Sequence, residues 1–159
     1  MRVSAIFCLG FLCFSVNAHD LKIGFIDTEE IVVNLTQYKS SVDAISREFD
    51  PKKQELLDLF KHIELLRSNI DLKNNNELEL SSLKDLEESF KKETEFWQNA
   101  MNNKKINLLN QIEDLINRTI SEFATEEGYD LILYKNIAFV SDKVNITKQI
   151  IEKIEKQSP

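Results

Sequence analysis

Large apolar residues recur at seven-residue intervals at Leu35, Val42, Phe49, Leu56, Ile63 and Ile70. A second series, Tyr38, Ile45, Leu59 and Leu66, falls between them and is broken only at Lys52. The alternating three-and-four spacing places both series on one narrow stripe of a helix, the seam of a coiled coil. Such a stripe cannot bury itself, so the chain must supply a second helix to face it. A set of ordinary amphipathic helices in a globular bundle is the alternative, but it does not require the phase to persist this long. Asp50-Pro51 interrupts the run. Asp caps a helix start and Pro at the first helical position loses no bond it would have made. The sequence therefore predicts a kink or restart there, with the two pieces nearly collinear because the phase survives.

The facing helix is found downstream. "DLKNNNE", Asp71 to Glu77, is the one cluster of turn formers in the middle of the chain. It predicts a hairpin tip at 73–76 and a return helix from about Leu78 to Glu126. Leu83, Phe90 and Trp97 are seven apart, as are Leu109, Ile116 and Phe123, with Ile112 and Ile120 on the same stripe. The intervening "KKETEFWQNAMNNKK" is polar except for Phe96, Trp97, Ala100 and Met101. Glu87–Lys91 and Glu88–Lys92 stand in the favourable i, i+4 order of an exposed helix face. An arm of about forty residues reaches about 60 Å at about 1.5 Å per residue.

Both ends of the chain change period. "LKIGFIDTEEIVVNL" begins as a short strand, Lys22–Ile26, and turns at once into a helix. Gly128 is a C-terminal stop for the long helix. "YDLILYKNIAFVSD", Tyr129 to Asp142, reads as two short strands around a Lys135-Asn136 turn. Asn145 then caps a final helix carrying Ile146, Ile150, Ile151 and Ile154. The expected fold is mainly α: a long antiparallel helical hairpin projecting from a small antiparallel sheet. The hairpin covers 35–126; 19–34 and 127–159 form the α/β body. Three short strands make a marginal sheet with open edges, so assembly through the sheet is expected. Its candidate contacts are Ile23, Phe25, Leu131, Leu133, Ile137 and Phe139.

Residues 1–18, "MRVSAIFCLGFLCFSVNA", read as an export signal: Arg2, an apolar run from Val3 to Phe14, and small residues ending at Ala18. The run is too short to span a bilayer, and cleavage is expected after Ala18. Both cysteines, Cys8 and Cys13, lie within it. The exported chain then has no thiol for a disulfide, a nucleophile or a metal. Without Arg2 it holds 19 basic against 27 acidic residues, net −8. That charge disfavours nucleic acid as a partner, and no later run is long and apolar enough for stable membrane insertion.

With these residues in hand, the chain resembles the Skp/OmpH-like family of periplasmic chaperones. "KIGFIDTEEIV" at Lys22–Val32 is similar to the family's opening strand and first helical turn. "EFDPKKQELL" at Glu48–Leu57 resembles its arm, proline included. "EEGYDLILYKNIAFVSDKVNITKQIIEKI" at Glu126–Ile154 resembles its closing strands and helix. The resemblance implies a homotrimer whose strands complete a small barrel, with three hairpins enclosing a cavity. It implies an ATP-independent holdase that binds unfolded outer-membrane or exported proteins in the periplasm, with no enzymatic activity and no cofactor. Well-studied members are basic, whereas here 35–126 carries 13 basic and 18 acidic residues. A lipopolysaccharide site is therefore not carried over. Phe96, off the seam phase, and Met101 are the candidate client contacts. The rival reading is a secreted coiled-coil spacer or tether of the envelope.

Other candidate sites have plainer readings. Asp27, Glu29 and Glu30 suggest an acid pair or a metal site, but Asp27 followed by Glu30 three residues later is a capping-box arrangement. His62 lies beside the seam as a solvated residue, and His19 at the expected new N-terminus is poorly placed for a metal. The sequons at Asn34, Asn117 and Asn145 matter only in a eukaryotic secretory route.

Overall fold

The structure is a computed structural model that describes residues 20–72, 77–134 and 137–157. The expected signal at 1–18, the hairpin tip at 73–76 and the Lys135-Asn136 turn lie outside the described residues. The elements run β1 (Ile23–Ile26), α1 (Thr28–Asn34), α2 (Thr36–Leu72), α3 (Glu77–Glu127), β2 (Leu131–Tyr134) and α4 (Thr147–Gln157).

Helices α2 and α3 form the expected antiparallel pair. At about 1.5 Å per residue, the 51 residues of α3 span about 75 Å. Of the two seam series between Leu35 and Ile70, Leu35, Ile45, Leu56, Ile63 and Ile70 are buried, and the other apolar members are half-buried. The apolar residues form two separate clusters. The inner one joins Ile45, Leu108, Ile112 and Ile116 to Ile26, Ile31, Ile150 and Ile154; the outer one is built on Ile63, Ile70 and Leu83.

Several expectations need correction. α2 continues through Pro51 with no restart of the helix. The chain instead breaks at Leu35, whose extended ψ of 127° separates α1 from α2. On α3, Leu108 faces the seam and Leu109 faces solvent. Trp97 to Leu108 is eleven residues, about three helical turns, so the stripe shifts out of the seven-residue phase that pointed to Leu109.

The sheet is also different. β1 and β2 are parallel, in the register Ile23↔Leu131 to Ile26↔Tyr134, and not antiparallel. The reason lies in where α3 ends. It runs down past β1 until the Glu127 carbonyl meets the Lys22 ammonium at the strand's start. The chain then reverses at Gly128, in the left-handed conformation at φ 67°, and the Tyr129 N–H closes the helix on the Ala124 carbonyl at 2.9 Å. β2 can only run back up beside β1, and the long helical connection is what a parallel pair requires. Ile137–Asp142 is not a strand. The other flank of β1 is taken by Val144–Ile146: Phe25 N–H donates to the Val144 carbonyl at 2.7 Å, and Ile146 N–H to the Phe25 carbonyl at 2.9 Å.

The two chain ends are stitched by side chains. The Asp27 carboxylate caps α1 by accepting from the Glu29 and Glu30 N–H groups, each at 2.9 Å. The reciprocal half of the expected capping box is replaced by a tertiary contact, since Asp27 N–H donates to Thr147 Oγ1 at 2.9 Å. Thr147 is itself held by its own N–H on Asn145 Oδ1 at 3.0 Å, the cap expected for the last helix. Glu155 of α4 accepts from the free Thr36 N–H of α2 at 2.7 Å. The inner face of β1 packs so closely on this end that a Cβ at Gly24 would lie 2.8 Å from Ile146 Cδ1.

Candidate functional site

Side chains of parallel strands alternate between faces, and paired residues share a face. Gly24 and Ile26 point inward and are buried. Ile23, Phe25, Leu131 and Leu133 therefore share the outer face, where Ile23 is 37% exposed, Leu131 43% and Leu133 36%. Phe25 is half-buried. Beyond β2, Ile137 is exposed and Phe139 is 83% exposed. All of these but Phe25 thus keep more than a third of their apolar surface open. A groove of about 840 Å³ runs along the neighbouring side, between α1, α3 and the end of the sheet, with Val32, Leu109, Ile116, Ile120, Ile132 and Tyr134 in its walls.

The long helices carry a second set. Phe96 is 76% exposed. Met101 is half-buried and packs against the inner cluster, so it presents only part of its side chain. Trp97 closes the seam, its indole N–H donating to the Phe49 carbonyl at 3.1 Å. Phe60 leans on Phe90 with ring centroids 5.9 Å apart and stays largely exposed, as does Leu65. The seam phase alone could have marked Phe60 and Leu65 as outward-facing, because both fall between its two series.

Ionic contacts are spread along the hairpin surface. Lys104 reaches Glu48, Arg67 reaches Glu87, and Lys153 of α4 reaches Glu126. Lys52, at the gap in the second seam series, donates to Glu93 at 2.7 Å and to Glu55 at 3.2 Å. The hydrogen bond from Lys52 holds the Glu93 carboxyl below the usual carboxylate range, and the bond to Glu93 raises Lys52. This cross-seam pair went unrecognised in the sequence, although Lys52 at an otherwise apolar position is its signal. Asp27, Glu29 and Glu30 do not converge, because Asp27 is committed to its helix cap. His62 is exposed on α2. Among the described residues, no group of three His, Cys, Asp or Glu side chains is placed to hold a metal ion, and no helix is long and apolar enough to cross a membrane.

A long two-helix arm stands on a small α/β end, with apolar surface left open on both. The same architecture is found in a solved structure from Caulobacter crescentus CB15, described as a putative outer membrane chaperone (OmpH-like). The two align with a TM-score of 0.60 at 10% identity, over 86% of this chain and 85% of that one. No match is found among curated proteins. Residues 22–154 match the family described as outer membrane protein (OmpH-like), and the chain belongs to that family.

Proposed function

We propose that this protein is an ATP-independent holdase of the periplasm, a homotrimer that keeps unfolded outer-membrane or exported proteins from aggregating between its arms. In this reading residues 1–18 are a signal cleaved after Ala18. The body comprises 19–34 and 127–159, and the arm comprises 35–126. The observation that carries the reading is the partly open outer face of the sheet. Ile23, Phe25, Leu131 and Leu133, with Ile137 and Phe139 beside them, are most simply covered by neighbouring copies that extend the two strands into a barrel. The arms then surround a common space, and Phe96 with the exposed side of Met101 makes apolar client contacts, multiplied by avidity across the copies. Family membership and the likeness to an OmpH-like structure support this reading.

The test has two parts. Light scattering on the purified protein should give the mass of a trimer, and Leu133→Asp should shift it to the monomer. The wild type should suppress aggregation of a urea-diluted β-barrel protein at stoichiometric ratio without nucleotide. Phe96→Ser should weaken that suppression while leaving the mass unchanged. A trimer that shows no suppression at several-fold excess would instead favour an envelope spacer.

A further inference from the structure

The side of α3 turned away from α2 carries a second seven-residue repeat that the hairpin does not use. Phe96, Asn103, Asn110 and Asn117 form one column, and Asn99, Ile106, Glu113 and Ile120 form the other. Their alternating three-and-four spacing joins them into one stripe. All but the half-buried Ile120 are exposed, Phe96 at 76% and Ile106 at 54%. The stripe runs into the groove of about 840 Å³, where Glu113, Asn117 and Ile120 join Val32 and Val33 of α1 in the wall.

Two properties set the stripe apart. The first is charge. The chain is 30% charged, yet between Glu95 and Glu113 the only charges are Lys104 and Lys105. Both lie off the stripe, and Lys104 is paired with Glu48. The second is composition. Asparagine is a poor helix former, and α3 carries six between 99 and 117. All six are exposed, and the four on the stripe make no side-chain hydrogen bond among the described residues. They cost the helix stability and return nothing to the fold. A side-chain amide combines donor and acceptor as a peptide group does, so an uncharged row of them, set among apolar side chains, matches an uncharged extended polypeptide. At about 1.5 Å per residue, Phe96 to Ile120 spans about 36 Å. An extended chain covers that in about eleven residues at about 3.3 Å each. A strand of a membrane β-barrel has about 9–11 residues and alternates apolar with polar side chains.

We propose that the stripe and the groove at its foot form a track that docks one strand-length segment of an unfolded membrane β-barrel protein. The segment is selected through its peptide groups and apolar side chains and not through its charge. Asn99, Asn103 and Asn110 hydrogen-bond its backbone, while Phe96, Ile106 and the groove take its apolar side chains. The inference rests on the holdase reading and adds to it a defined site on each arm.

Fluorescence anisotropy with the full chain and a labelled, urea-diluted β-barrel protein tests it. Asn103→Ala combined with Asn110→Ala should raise the urea midpoint, because alanine favours the helix, and yet weaken binding about tenfold. Gln98→Ala combined with Gln111→Ala removes two amides off the stripe and should leave affinity unchanged. A capped, uncharged strand peptide of about ten residues should displace the client from the wild type. An unchanged affinity or a lowered urea midpoint in the asparagine variant, an equal loss in the glutamine control, or no displacement by the peptide overturns the track while the holdase reading stands. So does a fall in mass of the asparagine variant by light scattering, which would put the stripe between copies. A wild type that binds no unfolded barrel protein removes the holdase reading itself, and the track with it.

Discussion

Gly24→Ala is expected to destabilise the protein through one identifiable contact. A Cβ at Gly24 would lie 2.8 Å from Ile146 Cδ1, and 3.1 and 3.3 Å from two carbons of the Tyr129 ring. Carbon atoms pack best at about 3.5–4.0 Å, so Ile146 must retreat by about 0.7–1.2 Å. It has little room to do so, being 3% exposed within the inner cluster. Tyr129 is similarly held, stacked on Phe123 with centroids 5.8 Å apart and covered by the Lys22 ammonium at 4.2 Å. Forcing a methyl into such a site costs about 1–3 kcal/mol. Alanine recovers about 0.4–1 kcal/mol by restricting the unfolded chain. The net loss is about 1–2 kcal/mol. Ile146→Val removes the clashing Cδ1 and alone costs about 0.5–1.5 kcal/mol. The double variant should therefore be more stable than the sum of the single losses predicts, by about 1 kcal/mol. Gly128→Ala provides the contrast. Nothing lies within 4 Å of its Cβ, but its φ is +67°, so the cost is backbone strain of about 1–2 kcal/mol that Ile146→Val cannot relieve. Urea unfolding followed by helical circular dichroism reads all four variants, at a single protein concentration because assembly would shift the midpoints. Additive losses for Gly24→Ala and Ile146→Val would refute the steric argument.

Other outcomes follow from contacts of the same kind. Thr147→Val leaves the Asp27 N–H without its acceptor and should cost about 1–3 kcal/mol in the same unfolding assay. The Lys52–Glu93 pair has a pH signature. Glu93 is held below its ordinary value by the hydrogen bond from Lys52, so its contribution is present above the ordinary carboxylate range and lost as pH falls through the lowered value. Lys52 is raised, so its share is present below the ordinary lysine range and lost as pH rises through the raised value. In Lys52→Met, the Glu93 carboxyl should titrate higher than in the wild type by carbon-detected NMR; an unchanged midpoint would rule out the pairing. If the protein acts as the holdase proposed above, its acidic arms should not steer it toward an acidic client. Affinity for an acidic unfolded β-barrel protein should then stay flat or rise between about 20 and about 300 mM sodium chloride, where the screening length falls to roughly a Debye length of 8 Å or less. A steep loss over that range would show that local lysines such as Lys91 and Lys104 dominate binding.

The legible parts of this chain were those in which local order implies contact. The series from Leu35 to Ile70 required a facing helix, and α3 supplies it. Asp27 and Asn145 read correctly as caps because a cap is made by residues two or three positions away. The misreadings occurred where a distant residue decided the outcome. Leu108 displaced Leu109 because the stripe on α3 shifts by one eleven-residue step. Half of a capping box gave way to Thr147, 120 positions from Asp27. Of the candidate binding residues, Phe96 stands out in solvent as its off-phase position suggested, whereas Met101 is drawn partly into the inner cluster.

By itself the sequence determined the hairpin, its seam and the short strand at each end, because periodicity sets which face of an element is apolar before any partner is chosen. Only the tertiary structure decided how the strands meet. A strand's pattern is the same read in either pairing direction, so nothing between Ile23 and Tyr134 distinguishes parallel from antiparallel. The direction was set by the level at which α3 stops, opposite Lys22, and by the reversal at Gly128 that sends β2 back alongside β1.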